Sequence, residues 1–470
     1  MLHIPLCESC NTTEDATCCR PAGSCRYALW GMHFKGGSVS YMDESVDPAV
    51  VRREEPGPGV YWAAVIAVSN VGERITTARR RRGLPRRTVA ELVGRSEEWL
   101  RLIETGQRQL DSIEHAIRLA DVLHMPSLPA ELGIGARERS RPGAGPAMLT
   151  PIRDALMDPG APPMRATTRR TSWDAQATLE RATAEGWDQW LGGTNRYTGT
   201  FQMMPALIRG AAASTLAPDG ATGLASALAA YHLAAAALSA VDERGLAWLA
   251  ADRAVCAAGR DGTPEQMAAA AWHLIACFLR QKCWAAASRL STEAIAWLPA
   301  PDGGQVAALR GALLLTGAEA SAGMADQHQA EQLLAEAQRI ARDLEPRDWP
   351  DRVPFGAVEA GICAVQIAIE LGRPGEAIRL AGQLKVPDDY PPGLQVRHFI
   401  KLAALHARRN EDIPAVFALT KVAEISPEDL RYHPDARHVL HRMLRRGNQM
   451  VHRELAYLAN LADITVSAWS

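Results

Sequence analysis

Lysine is scarce in this chain. Five residues, Lys35, Lys282, Lys385, Lys401 and Lys421, stand against 46 arginines in 470 positions. With abundant Ala, Gly and Pro, the bias resembles GC-rich coding and by itself implies no chemistry. A surplus of either charge is also missing. The net charge of −2 excludes a chain that is basic throughout, so any nucleic-acid binding must come from a local patch. Long apolar runs are lacking too. Tyr61–Val68 is far short of the roughly 20 residues that a bilayer requires. Residues 220–241 are uncharged but dominated by Ala, Ser, Gly, His and Tyr, which predicts a tightly packed core helix and no membrane partner. The N-terminus lacks a basic segment leading into an apolar stretch with a small-residue cleavage site, so a cytoplasmic location is expected.

Enzyme signatures are equally sparse. The chain has no Gly-Lys dipeptide and hence no phosphate-binding loop of the Walker type, and it has no H-E-x-x-H, G-x-S-x-G or G-x-G-x-x-G. No enzymatic activity, cofactor or metal is expected. Five of the nine cysteines (Cys7, Cys10, Cys18, Cys19 and Cys25) crowd the first 25 residues. Cys7-x-x-Cys10 has metal-ligand spacing, but the later cysteines do not repeat it, so the zinc signal is weak. Cys256, Cys277, Cys283 and Cys363 lie in apolar helical stretches and read as core residues. His433, His438, His441 and His452 read as a polar helix surface, with no acid or Cys at ligand spacing.

Apolar residues make up 47% and charged residues 22% of the chain. That composition supports large buried cores and, at roughly 150 residues per domain, two to four domains. The sequence divides into four zones. Residues 1–70 have no helical or strand period and read as an irregular extension. A translation start assigned too far upstream, with Val68 or Val71 as the true first residue, would account for them. Residues 71–125 are compact, helical and Arg-rich. Residues 126–172 read as a linker, because Pro and Gly are dense up to Pro163. Residues 173–470 carry apolar positions at helical spacing with short breaks and no strand alternation. Breaks near 244, 283, 323, 372 and 410 precede Ala-rich segments of similar form, beginning at Gly245, Trp284, Ala330, Pro374 and Pro414. Helix pairs of this kind cannot bury their apolar faces alone and stack into a solenoid. The period is longer than the 34 residues of a regular tetratricopeptide repeat and varies. The fold class is therefore all-α: a small helical domain joined by a Pro/Gly-rich linker to a tetratricopeptide-like α-solenoid.

The chemistry is concentrated in residues 71–110, which hold ten Arg and five Glu, a local charge of +5. The pattern predicts a first helix over Val71–Arg82, with Val71, Ile75 and Ala78 inward. A second follows over Arg86–Val93, burying Val89, Ala90, Leu92 and Val93. Gly94 makes a tight turn, and Ser96 caps a third helix over Glu97–Glu104 that buries Leu100 and Ile103. Gly106 stops that helix. A fourth spans Leu110–Leu123, with Ile113, Ile117, Leu119, Ala120 and Leu123 inward.

Gly72-Glu73-Arg74-Ile75, Ala90-Glu91-Leu92-Val93-Gly94, Ser96, Trp99-Leu100, Ile103-Glu104-x-Gly106-x-Arg108 and Leu119-Ala120-Asp121 together resemble the Cro/C1-type, or xenobiotic-response-element, helix-turn-helix family over about 55 residues. The whole arrangement is similar to actinobacterial regulators that join this domain to a tetratricopeptide-like region. The stretch from Ile425-Ser426-Pro427 to Leu444-Arg445-Arg446 is similar to the final helices of that group. The resemblance implies that the third helix enters the major groove of double-stranded DNA. It places Glu97, Glu98, Trp99, Arg101 and Leu102 at base-facing positions beside the Ser96 cap, and Arg86, Thr105 and Arg108 at phosphate-contact positions. Two alternatives come from the residues themselves. Glu97 and Glu98 also suit the positive end of a helix, and Trp99 also suits the domain core. The expected protein is a sequence-specific transcription regulator, acting as a homodimer, whose helical array receives a peptide, protein or small-molecule effector. The other reading is an interaction scaffold whose helix-turn-helix no longer reads DNA.

Overall fold

The computed structural model describes residues 71–108, 110, 113–123, 146–158, 172–216, 220–300, 304–344, 349, 352–387 and 390–464. The irregular extension with its five cysteines, and most of the Pro/Gly-rich linker, lie outside the described residues. Among those described there are twenty α-helices and no strand.

Four short helices form the N-terminal domain: α1 (Val71–Arg81), α2 (Arg86–Val93), α3 (Glu97–Glu104) and α4 (Ile113–Leu123). Their inward stripes meet in one small core of Ile75, Val89, Ala90, Val93, Trp99, Leu100, Ile103, Leu119, Ala120 and Leu123. Leu92, expected in that core, is 59% exposed. Val89, Ala90 and Val93 already fill the stripe of this two-turn helix, and Leu92 falls beyond its edge. The fourth helix begins at Ile113 and not at Leu110, and the first ends at Arg81.

The linker zone contains a helix that its composition concealed. In α5 (Pro146–Met157), Leu149, Ile152, Ala155 and Leu156 recur at helical spacing and are buried, although Pro151 interrupts the hydrogen-bond ladder. This helix packs on α7 (Arg196–Leu216), which pairs with α6 (Ser172–Gly192).

Five helix pairs follow: α8 (Gly220–Ala240) with α9 (Arg244–Asp261), α10 (Pro264–Arg280) with α11 (Trp284–Trp297), α12 (Gly304–Gly323) with α13 (Gln327–Asp343), α14 (Ala357–Glu370) with α15 (Pro374–Gln383), and α16 (Pro392–Arg408) with α17 (Asp412–Ile425). Each pair turns on one residue in the left-handed region: Asp242, Lys282, Ala325, Gly372 and Asn410. These fall at or beside the breaks visible in the sequence. At each turn an amide beyond the bend closes on a carbonyl of the first helix, as in Cys283 N–H to Phe278 O at 2.9 Å and Arg373 N–H to Ala368 O at 2.8 Å. Gly372 takes this conformation freely; Lys282 and Ala325 hold it against a steric cost of roughly 1–2 kcal/mol.

The first helices of successive pairs, from α8 to α14, pack on one another as an inner layer. Small residues permit their close approach. A Cβ at Gly311 would strike the Phe355 ring, and one at Gly323 the Trp284 ring. Helix α8 holds a long apolar window, Gly223–Ala240, with mean hydropathy 1.4. It is long enough to cross a membrane, but 67% of it is buried inside the array. It is the core helix that its Ala-rich composition predicted.

Three last helices, α18 (Pro427–Tyr432), α19 (Pro434–Arg446) and α20 (His452–Leu461), complete a second core with α16 and α17. This end returns to the beginning of the array. Helix α16 packs on α6, and α18 on α7. Glu428 caps α7 from outside, accepting the amides of Tyr197 at 2.7 Å and Thr198 at 3.2 Å. The buried Tyr197 hydroxyl donates to Asp429 at 2.8 Å. The array therefore closes on itself. Two side-chain expectations change, one on α9 and one at this end. Cys256 is exposed. His433, read as part of a polar surface, is buried and accepts the Asp435 amide at the start of α19.

Candidate nucleic-acid interface

The turn between α2 and α3 sets the geometry of the basic domain. Gly94 closes α2 at φ 77°, a conformation that a side chain resists. Ser96 then caps α3, its Oγ accepting the Trp99 amide at 3.1 Å. The cap satisfies an amide that would otherwise be orphaned and fixes where the exposed face of α3 begins. Gly106, at φ 73°, redirects the chain after α3.

The proposed contact residues divide by placement. Glu97, Glu98, Thr105 and Arg108 are exposed, while Arg101 and Leu102 are half-buried. Trp99 is 7% exposed and belongs to the core, where its ring tilts against His115 at 5.5 Å. It thus takes the packing alternative left open by the sequence. Arg95 lies over the Trp99 ring at 6.0 Å and donates to His115 Nε2 at 2.8 Å. A shallow cleft lined by Glu91, Gly94, Arg95, Ser96, Trp99 and Arg108 runs along this side of the turn.

Several cations here already have acidic partners. Arg101 makes two parallel hydrogen bonds to Glu98, at 2.8 and 2.7 Å. Those bonds lower the Glu98 carboxyl below its ordinary value and raise the Arg101 guanidinium. Arg87 pairs with Glu91 at 2.9 Å. All four side chains are substantially exposed, so these pairs add little stability, and phosphate or a base edge can compete for the arginines. Thr105 is exposed and donates its hydroxyl to the Arg101 carbonyl at 3.0 Å.

Arg86 is engaged more deeply. Its Nε donates to Glu104 at 2.6 Å, and Arg79 donates to the same carboxylate at 2.6 and 3.2 Å. Glu104 is 5% exposed. Burial alone would raise its carboxyl, but the two arginines outweigh burial and hold it low. The triad ties α1 and the start of α2 to the end of α3. Sequence reasoning passed over Arg79 and Glu104. The available signal was an acid in the last turn of a helix, where the macrodipole opposes it and a specific cation must compensate. Gly72 was also missed. A Cβ there would lie 2.7 Å from the Glu104 carbonyl oxygen and would collide with that of Ile103. Helix α1 therefore rests directly on the backbone of α3.

Residues 70–132 match the family described as a helix-turn-helix domain. The chain thus carries a helix-turn-helix DNA-binding domain, followed by a helical region. No curated protein and no solved structure matches the chain.

Proposed function

We propose that this chain is a sequence-specific transcription regulator of the Cro/C1 type, with α3 entering the major groove and the tetratricopeptide-like array receiving a signal and joining two copies. One observation carries the reading. The Ser96-capped α3 presents Glu97, Glu98, Arg101 and Leu102 on its open side, flanked by Arg95 and Arg108, while its other side is locked to α1 and α2. Arg101 can donate to the O6 and N7 of guanine, and Glu98 can accept from the N4 amine of cytosine. Arg108 and Thr105 lie where phosphates would set register without reading sequence.

A single domain of this size reads a short half-site, so two copies are expected. The C-terminal end supports that expectation. Ile413 and Phe417, one turn apart on α17, are 57% and 63% exposed. Met450 and Tyr457, on segments that pack against α17, are 76% and 59% exposed. A terminal repeat that faced only water would carry a polar outer side.

The test is selection of genomic fragments by the purified chain at near-physiological salt. Enrichment of one pseudo-palindromic site supports the regulator. Binding without sequence preference that vanishes as salt rises supports the second reading, an interaction scaffold. That alternative draws its support from the acid pairing of Arg86, Arg87 and Arg101.

A further inference from the structure

The end of α1 reaches out of its own domain. Arg81, in the last turn, donates through Nη2 to the Gly323 carbonyl at 2.8 Å and to Glu370 at 2.9 Å, with the Ala322 carbonyl at 3.4 Å. Gly323 ends α12 and Glu370 ends α14. One guanidinium therefore meets the C-terminal ends of two inner-layer helices of the array. Such ends carry partial negative charge and carbonyls without intrahelical amides, and a cation is favoured there. The contact is partly sheltered, with the Arg81 and Glu370 side chains 28% and 16% exposed.

The array side is set to receive this cation. Glu370 is misplaced for its own helix, because a carboxylate in the last turn opposes the macrodipole. The nearby Arg373 is turned instead to Glu331 at 3.3 Å and Glu376 at 3.4 Å. Gln366 donates to one Glu370 oxygen at 3.0 Å, and Arg81 takes the other. The end of α12 is held in place as well. The Trp284 ring fills the space of a Gly323 Cβ, and the Ala325 amide closes the turn on Ala322 at 3.0 Å.

Helix α1 is tied equally firmly to the rest of its domain. Arg79 holds Glu104 of α3, Gly72 rests on the α3 backbone, and Arg82 donates to the Val122 carbonyl in the last turn of α4. The direction in which α3 faces is thus fixed, through α1, by the array. With the domain in this place Glu97 and Glu98 remain exposed, so docking leaves that side of α3 open.

We propose that the ends of α12 and α14 are the docking surface of the DNA-binding domain, and that this docking, latched by Arg81, sets the spacing of the half-sites that two copies accept. A latch made by one guanidinium can open. Movement of either helix end would free the domain to turn, so a change in the array would alter which paired sites are read without altering the half-site. The proposal rests on the reading of the chain as a DNA-binding regulator acting in pairs.

The experiment uses the full chain. Glu370→Arg repels Arg81 but places a cation where the end of α14 favours one, so the array should keep its melting midpoint. Hydrogen exchange at residues 78–84, in the other domain, is expected to rise about threefold or more. Arg81→Ala should raise exchange at residues 321–326 in the same way. Arg373→Ala, beside the contact but outside it, should leave residues 78–84 unchanged. Selection of genomic fragments then reads the spacing. The wild type should enrich paired half-sites at one spacing, and Glu370→Arg the same half-sites at several. Unaltered exchange across the contact in either variant overturns the docking, and a single unchanged spacing in Glu370→Arg overturns its role. If exchange responds across the contact and the wild type selects no site, the regulator reading falls and the docking surface stands. A selected site without the exchange response does the reverse.

Discussion

Arg79 donates to both oxygens of Glu104 at the centre of the DNA-binding domain, at 2.6 and 3.2 Å, and Arg86 completes the clamp. A buried carboxylate held in this way is costly to break, because removing it strands a buried guanidinium. Glu104→Gln should destabilise the domain by about 3 kcal/mol. The check is hydrogen exchange of the amides of residues 89–103 in the full chain. Protection should fall there and stay unchanged in the array. The folded-state pKa of Glu104 is depressed, so its contribution is complete above the ordinary glutamate range. It is lost as pH falls through the lower, folded value. Exchange in this domain should therefore accelerate with acid more steeply in the wild type than in Glu104→Gln.

His433 also resists protonation in the folded chain, but through burial and not through a cation. Burial pushes its imidazole down to about 4, a shift only partly opposed by Asp435. Between that value and the ordinary 6.5, the unfolded chain binds a proton that the folded chain does not. Stability of the array therefore declines as pH falls from about 6.5 to about 4, by about 3 kcal/mol at most from this residue. His433→Asn, which can still cap α19, should flatten the dependence of the unfolding midpoint over that interval. An unchanged slope would assign the acid sensitivity to other groups.

Gly72 is a packing position that no turn requires. With backbone oxygens on α3 where its Cβ would be, Gly72→Ala must push α1 away from α3, at a cost of about 1–3 kcal/mol. Gly83→Ala provides the contrast. Its Cβ would meet nothing, and only the left-handed backbone resists the change. If the two variants melt alike, the close approach of α1 to α3 is wrong.

The exposed apolar end gives a prediction about assembly. Phe417→Asp places a charge where a second copy is expected and should halve the mass measured by light scattering. Half-site DNA binding should survive, while affinity for a paired site falls. A monomeric wild type would refute this use of the surface.

Legibility in the sequence followed physical causes. The boundaries of α2 and α3 were readable because Pro85, Gly94, Ser96 and Gly106 each impose a local conformation. The hairpin turns were readable as breaks in apolar period. Helix α5 was not, because Pro and Gly counts masked an apolar stripe only four residues deep. The Glu104 clamp, the close approach of Gly72 and the return of α18 onto α7 depend on contacts between distant segments, which local pattern does not encode. For the same reason, the pairing of Arg86 with Glu104 is not legible from its phosphate-contact position in the sequence.

Arg101 and Glu98 lie three residues apart on α3 and form an exposed bidentate pair. That pair must open, or turn as a unit, for either residue to meet a base. Arg101→Ala should cost about 1–3 kcal/mol on a selected site and much less on a scrambled one, because two parallel hydrogen bonds identify guanine. Glu98→Gln should act in the other direction on scrambled DNA. It removes both the internal competitor for Arg101 and a repulsion against phosphate, so non-specific affinity rises and discrimination narrows. Arg108→Ala has no such pair to disturb and should weaken both DNAs equally, lowering the salt slope by about one unit. Arg86→Ala should mix two effects: a similar loss in salt slope and, through Glu104, a loss of domain stability that Arg108→Ala lacks. Salt titrations of the four variants on both DNAs separate these cases. If Arg101→Ala weakens both DNAs by the same factor, the pair does not read bases, and α3 holds the backbone alone.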